Sequence, residues 1–390
     1  DMFATFCNRN GQLFYVLGEY TYTYSGSTNT VASFTLHFNK SYKASHRKAF
    51  TAKVNEALSG VDANWNDEQK ALYLHDWLVT HCEYDTTYSK YTAYDTLVGG
   101  SSVCQGYTLA YEYLMTCAGV ECDIISSTGI NHAWNLVTVS GKTYYVDCTW
   151  DDPVNIPLTA YCAHGYFLRS RGAFEHIGND ASNPITDWVD TSGANVYGSS
   201  SVGVSKTYDS AYWINAVTPI AQVGDLWAYV DSTVSSASET VSVYVHDYST
   251  GSNRVLASGL AGTWYAWGSS SYWQRRYTSI ASNGESFLVS TPKSLVRVWP
   301  DGTKSTVYYL SAAEESKGYI YGLQYSDSTG KCTYQLGTQT RDSSGSVTTK
   351  ATGSGTYEFA AYNVAVKNVT ISPTSLTLAA GKSAALSATV

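Results

Sequence analysis

Two spacings of apolar residues alternate along this chain, and the points where one replaces the other mark its organisation. From residue 12 to residue 39 the apolar positions lie in aromatic and β-branched runs, QLFYVLGEYTYTYSG and TVASFTLHFN, separated by Ser, Gly and Asn, which predicts strands. From about residue 45 the interval lengthens to three and four. SHRKAFTAKVNEALSG places Phe50, Val54 and Ala57/Leu58 on one helical face with Gly60 as its stop. NDEQKALYLHDWLVTHC does the same with Ala71, Leu74 and Leu78, puts Trp77 at the edge, and opens on Asn66 with Gln69 three residues later, the pattern of a capping box. In GGSSVCQGYTLAYEYLMTCAGV the stripe is Tyr107, Ala110, Leu114 and Cys117/Ala118, ended by Gly119. Cys117 reads as core, whereas Cys104 precedes the stripe in the first turn.

Alternation of period two then returns in ECDIISST, HAWNLVTV and TYYVDCTW, the last two joined by SGK as a hairpin. Helices followed by an antiparallel sheet predict an α+β domain. Beyond residue 186 the helical spacing stops, DTSGANVYGSSSVGVS reads as a linker, and the remainder is β in pattern. Three Gly-containing turns, at Gly251, Gly302 and Gly330, join apolar-alternating segments, as propeller blades or a sandwich would. The division expected is an N-terminal β segment at 1–44, a catalytic domain at 45–185, a linker at 186–206, an all-β domain at 207–366 and a further start at 367–390.

Composition narrows the class. Only 14% of residues are charged and the net charge is −8, with no Lys/Arg run, so nucleic acid is not an expected partner. The abundance of Tyr (34) and Trp (11) suits β-rich domains with polar faces, as in secreted or surface proteins. No apolar stretch is long enough for a membrane span, and residues 1–20 lack a signal-peptide pattern, as a mature chain would. The eight cysteines include no C-x-x-C pair and no His/Cys set at zinc spacing, so no metal, cofactor or disulfide scaffold is expected. Most read as small buried residues.

Cys104 is the exception. A thiolate is stabilised at the first turn of a helix by unpaired N–H groups and the helix dipole, and the Cys104 N–H is placed to donate to an oxyanion. Gly99, Gly100, Ser101 and Ser102 before it can turn tightly and cap the helix. A base and its orienter are available in His132, which opens one strand of the hairpin, and Asp147, in the returning strand. If the turn is Ser140-Gly141, His132 faces Thr149, and Asp147 lies on the same face, a two-residue diagonal of about 7–8 Å away. If it is Gly141-Lys142, His132 faces Asp151 and the offset grows to four residues, a strained reach. A three-residue turn without a bulge would put the pair on opposite faces. The Ser140-Gly141 register is therefore favoured.

The three motifs GSSVCQGYTLAYEYLMTCAGVEC, NHAWNLV and GKTYYVDCTWDDP, in this order and at these separations, resemble the transglutaminase-like superfamily of papain-like cysteine enzymes, especially its bacterial secreted, protease-like branch. DEQKALYLHDWLVTHCEYD and YFLRSRGAFEHIG extend the resemblance over about residues 45–178. The resemblance implies Cys104 as nucleophile, His132 as general base and Asp147 as orienter, forming a thioester that passes its acyl group to water or an amine. It implies a peptide or protein amide substrate, and an aromatic at the cleft in the place of Tyr84. Gln105 stands where animal cross-linking enzymes carry an aromatic, and their calcium-binding acidic clusters are not apparent, which favours hydrolysis. Gln105, Tyr84, Trp134 and Trp150 are the substrate-cleft candidates, the two indoles serving to exclude water or to pack the core. His75, His81, His164 and His176 are expected at surface or supporting positions, and Asp151 and Asp152 as strand-ending residues. The end of the chain, SPTSLTLAAGKSAALSATV, resembles the first strands of a bacterial Ig-like group 2 domain, as at a boundary inside a longer modular protein. A different expectation is a non-catalytic cell-surface module in which the β region contacts cell wall, glycan or protein, with the aromatic run at 262–277 as a stacking platform or, more simply, packed strands.

Overall fold

Asn66 begins a helix as its neighbours predict: its side chain accepts the Gln69 N–H, and the Gln69 side chain accepts the Asn66 N–H in return. The helix belongs to a computed structural model that describes residues 2–154, 161–174, 184–231, 240–262, 264–269, 272–326, 329–341, 343, 347–359, 370–372 and 387–389. His176 and most of the Ig-like resemblance lie outside the described residues.

In chain order the first part contains α1 (Met2–Asn8), β1 (Val16–Ser25), β2 (Thr30–Phe38), α2 (Ala44–Leu58), α3 (Asp67–His81), β3 (Glu83–Tyr84), α4 (Ala93–Leu97), β4 (Ser101–Ser102) and α5 (Cys104–Cys117). The sheet β5 (Cys122–Ser127), β6 (His132–Val139), β7 (Lys142–Val146) and β8 (Val189–Asp190) follows, in the order β7-β6-β5-β8 and antiparallel throughout. β1 and β2 form the expected hairpin, but residues 2–13 are helical or turned rather than extended. Tertiary contact accompanies this: Phe14 packs against Phe50, Tyr42 and Tyr94, and a Cβ at Gly11 would lie only 3.2 Å from Tyr113 and 3.3 Å from Ala93.

α3 and α5 cross within one apolar core that takes Leu72, Leu74 and Leu78 from the former and Tyr107, Ala110, Tyr111 and Leu114 from the latter, all essentially inaccessible. Cys117 corrects the sequence reading, for it is exposed. The buried face of α5 runs through Tyr111, Leu114 and Met115, and its last residue has already turned past the covering elements. Of the remaining thiols, Cys82, Cys122, Cys148, Cys162 and Cys332 are buried and none is disulfide-bonded. The far side of the sheet carries a second cluster, Ile125, Trp134, Tyr145, Phe174 and Trp188. Trp188 and β8 come from chain beyond residue 185, so the segment around the expected linker supplies the sheet's fourth strand.

The β region is built of antiparallel meanders: a four-stranded sheet of β9 (Ala221–Val223), β10 (Leu226–Val230), β11 (Thr240–Asp247) and β12 (Ser252–Ala261), a two-stranded one at Trp264–Tyr277, a four-stranded one at Ile280–Tyr309 and a three-stranded one at Tyr319–Glu358. Gly251, Gly302 and Gly330 each take a positive φ in the hairpin turns anticipated for them. No closed barrel forms among the described residues, and a propeller ring is not seen. The chain divides into two compact units, 1–357 and 358–390, and among the described residues of the second Thr370–Ser372 pairs with Ser387–Thr389. No described helix is long and apolar enough to cross a membrane.

Candidate active site

The β6–β7 hairpin pairs Asn135 with Val146 and Val139 with Lys142, leaving Ser140-Gly141 as a two-residue turn. Both turn residues have positive φ, 51° and 72°, the conformation whose twist matches the flanking strands. This is the favoured register. Asp147, just past β7, therefore lies diagonally from His132 at the start of β6, and the His132 Nε2 is 2.6 Å from the Asp147 Oδ2. The other carboxylate oxygen, Oδ1, accepts the N–H groups of Thr149 and Trp150, so the buried carboxylate is held on both sides.

Cys104 is delivered from the opposite direction. Glu83 and Tyr84 of β3 pair in parallel with Ser101 and Ser102 of β4, which aims the chain into α5. Ser102 does not cap that helix: its hydroxyl hydrogen-bonds Thr96, and the N-cap is Val103, which has no capping side chain. The first-turn N–H groups beside the thiol thus keep their positive end free of a competing side-chain acceptor. Gly106 makes the turn fit, since a Cβ there would lie 2.6 Å from both Ser102 side-chain atoms and 2.7 Å from Thr96 Oγ1.

The electrostatics favour an ion pair. Burial pushes the Cys104 thiol up, but hydrogen bonding to His132, the charge of that ring and a backbone hydrogen bond from Ala133 outweigh it, and the thiol lies below its ordinary value. Burial lowers His132, yet Asp147 through charge and hydrogen bond, with Cys104, raises it to about 10. Nε2 being committed to Asp147, Nδ1 is the nitrogen left for the thiol. The imidazole is flanked by Trp134 (centroids 5.8 Å apart, planes 28°) and Trp150 (5.6 Å, 29°).

Cys104 and His132 open on a cleft of about 640 Å³ that Gln105 and Tyr84 also line, with Tyr88 and Tyr91 beside Tyr84 and Ser126, Ser127 and Thr128 opposite. Its lining contains no Lys, Arg or Glu, and its one acid, Asp190, is occupied by its own turn. Trp150 is 41% exposed over the His132 ring, whereas Trp134 is fully buried behind it against Trp188 and Phe174.

The sequence reading placed some of the supporting residues only coarsely and missed others. Of the two places open to them, surface or supporting, His75 and His164 take the second and are completely buried: His75 Nδ1 and His164 Nε2 each lie 2.9 Å from Asp76 Oδ1. Asp151 is buried as well, its Oδ2 3.2 Å from His75 Nε2, while Asp152 accepts the Tyr107 hydroxyl. The spacing held a clue, because His75 sits beside Leu74 and Leu78 on the buried stripe of α3. Asp187 had no such signal. It accepts hydrogen bonds from Ser127, Thr128 and Gly129 across nearly sixty residues and so fixes the loop leading into His132.

Compared with known proteins, residues 52–148 match the model of the transglutaminase-like superfamily. Among solved structures, the chain is similar to a TGase at 10% identity and TM-score 0.25, over 34% of this chain and 44% of that one. It is also similar to a candidate cysteine protease from Cytophaga hutchinsonii at 18% identity and TM-score 0.22, over 27% and 37% respectively. The match therefore spans less than half the length of either structure. None of the curated proteins matches the sequence. Residues 52–148 are a transglutaminase-like superfamily domain.

Proposed function

We propose that this chain is a cysteine hydrolase of peptide or protein amides, working through Cys104, His132 and Asp147, in a protein secreted or displayed at a bacterial surface. The observation that carries the reading is the His132 ring, fixed by Asp147 at 2.6 Å and hydrogen-bonded to a thiol of lowered pKa at an uncapped helix start. The Cys104 thiolate attacks the amide carbonyl carbon, and the oxyanion that forms meets the Cys104 N–H. The tetrahedral intermediate collapses as the His132 imidazolium gives its proton to the leaving amine, producing a thioester. Water, deprotonated by the neutral ring, then attacks the thioester carbonyl, and thiol and acid product separate. An amine in place of water would give transfer.

A cleft whose described lining carries no Lys, Arg or Glu suits a neutral amide better than an ionic substrate, and Gln105 in place of an aromatic supports hydrolysis over cross-linking. The β region is assigned contact with cell wall, glycan or a protein partner near the substrate. Fluorescent casein and a set of neutral peptides, followed by mass spectrometry with and without added amine, test this. Turnover stopped by alkylation of Cys104, with acid products even when amine is present, supports it. Turnover indifferent to alkylation overturns it.

A further inference from the structure

Behind the active site, four buried side chains point one donor atom each at a common centre. His75 Nδ1, Asp76 Oδ1, Cys162 Sγ and His164 Nε2 all lie within 4.8 Å of one another. The distances from Asp76 Oδ1 are 2.9 Å to each histidine nitrogen and 3.6 Å to the sulfur. All four residues are essentially inaccessible to solvent.

The outward-facing atoms of the same groups are also committed. His75 Nε2 faces the Asp151 carboxylate, whose oxygens also accept the Tyr166 N–H. His164 Nδ1 faces the Ala216 carbonyl oxygen at 3.1 Å, and Asp76 Oδ2 accepts the Ile220 N–H at 2.7 Å. A carbonyl and a carboxylate only accept, so both outward ring nitrogens carry the N–H. In neutral rings the inward nitrogens then present lone pairs, converging with a carboxylate oxygen and a sulfur. Protons can satisfy this arrangement by charging a ring against the Asp76 and Asp151 carboxylates, which leaves an imidazolium beside a second ring with centroids 5.4 Å apart in a water-free interior. A divalent cation does so directly, and backing of ligand imidazoles by a carboxylate and a backbone carbonyl is the usual support for bound zinc.

We propose that His75, Asp76, Cys162 and His164 bind one structural zinc ion. Zinc bonds of about 2.0–2.3 Å put tetrahedral donors about 3.3–3.7 Å apart, a span that small side-chain shifts reach from the observed positions. Binding releases the Cys162 thiol proton, and any proton held on His75 Nδ1 or His164 Nε2, to solvent; no bond is otherwise broken and no electron moves. With no inward position open to water or substrate, the ion is structural. It ties α3 to the segment of Cys162 and His164, and through Asp151, whose N–H donates to the Asp147 carbonyl, to the turn that carries the active-site carboxylate. The ligand pairs are separated by 86 positions, from Asp76 to Cys162, which hides them from any short spacing rule.

The test uses the full chain in a Cys104→Ala background, so that the cleft thiol contributes no binding. Elemental analysis of protein produced with zinc in the medium is expected to give about one zinc per chain. Cobalt exchange is expected to produce a thiolate-to-cobalt charge-transfer band in the near ultraviolet, and Cys162→Ser to remove that band. Chelation is expected to lower the melting temperature, which zinc restores. Should Cys162→Ser fail to fold, Cys117→Ser serves as the control, since its exposed thiol must leave both band and metal content unchanged. Protein that holds no metal as purified, and takes up none on refolding with zinc, overturns the proposal, as does a band that persists in Cys162→Ser. Amide hydrolysis plays no part in these readouts, so their outcome is independent of the proposed activity.

Discussion

The imidazole of His132 has one nitrogen on Asp147 and the other left for Cys104, so each member of the proposed triad has a distinct expected defect. Cys104→Ala is expected to abolish turnover. Asp147→Asn keeps the shape but loses the charge that holds the ring protonated and oriented, and kcat is expected to fall by about 10³–10⁴-fold with little change in KM. The ion pair also sets a pH profile. With the thiol below its ordinary 9.0 and the imidazolium held to about 10, kcat/KM should rise at a pH lower than an isolated thiol would give. It should fall again only as His132 deprotonates near 10, where the thiolate remains but the acid for the leaving amine is lost. A rising limb at or above the ordinary thiol value contradicts the ion pair. In Asp147→Asn the falling limb should move to lower pH.

Among elements, the site depends on how α5 and the β6–β7 hairpin are seated. Gly106→Ala forces a Cβ against Ser102 and Thr96, and an expected loss of about 1–3 kcal/mol in chemical denaturation should accompany a fall in Cys104 alkylation rate. Asp187→Ala releases the Ser127–Gly129 loop ahead of His132. It is expected to lower kcat while leaving Cys104 in its helix, so alkylation by a small reagent should persist while casein turnover drops. Helices α2, α3 and α5, the capping box of α3 and the Ser140-Gly141 register were legible in the sequence because periodicity and turn chemistry are local. The exposure of Cys117 and the pairing of His75 with Asp151 were not. Each turns on which elements cover a given helical face, and neighbours in space decide that.

For the whole molecule, the boundary at residue 185 has a physical consequence. Trp188 is fully buried against Trp134 and Tyr145, and Trp188→Ala is expected to cost about 3–5 kcal/mol, measurable as a lower midpoint of unfolding. The β region is joined to the helices as well: the Ile220 N–H donates to Asp76, the Tyr248 hydroxyl to Glu68, and Trp227 packs on Trp65. A fragment of residues 45–185 lacks all of these and is expected to show no cooperative thermal transition, whereas a fragment of residues 2–357 should retain one.

The sequence by itself determined the place of Cys104, the proposed nucleophile, at a helix start, the order of Cys104, His132 and Asp147, and the turn that puts the last two on one face. Each follows from chemistry acting over a few residues: the three- and four-residue spacing of a helical stripe, a two-residue turn, the period of two along a strand. Only the tertiary structure decided that Trp134 lies behind the imidazole while Trp150 lies over it. The same holds for Asp187, which steadies the loop before His132, and for His75, Asp76, Cys162 and His164, whose donor atoms converge. Those relations join residues tens of positions apart, and side-chain pairing at such separations leaves no period in the chain to read.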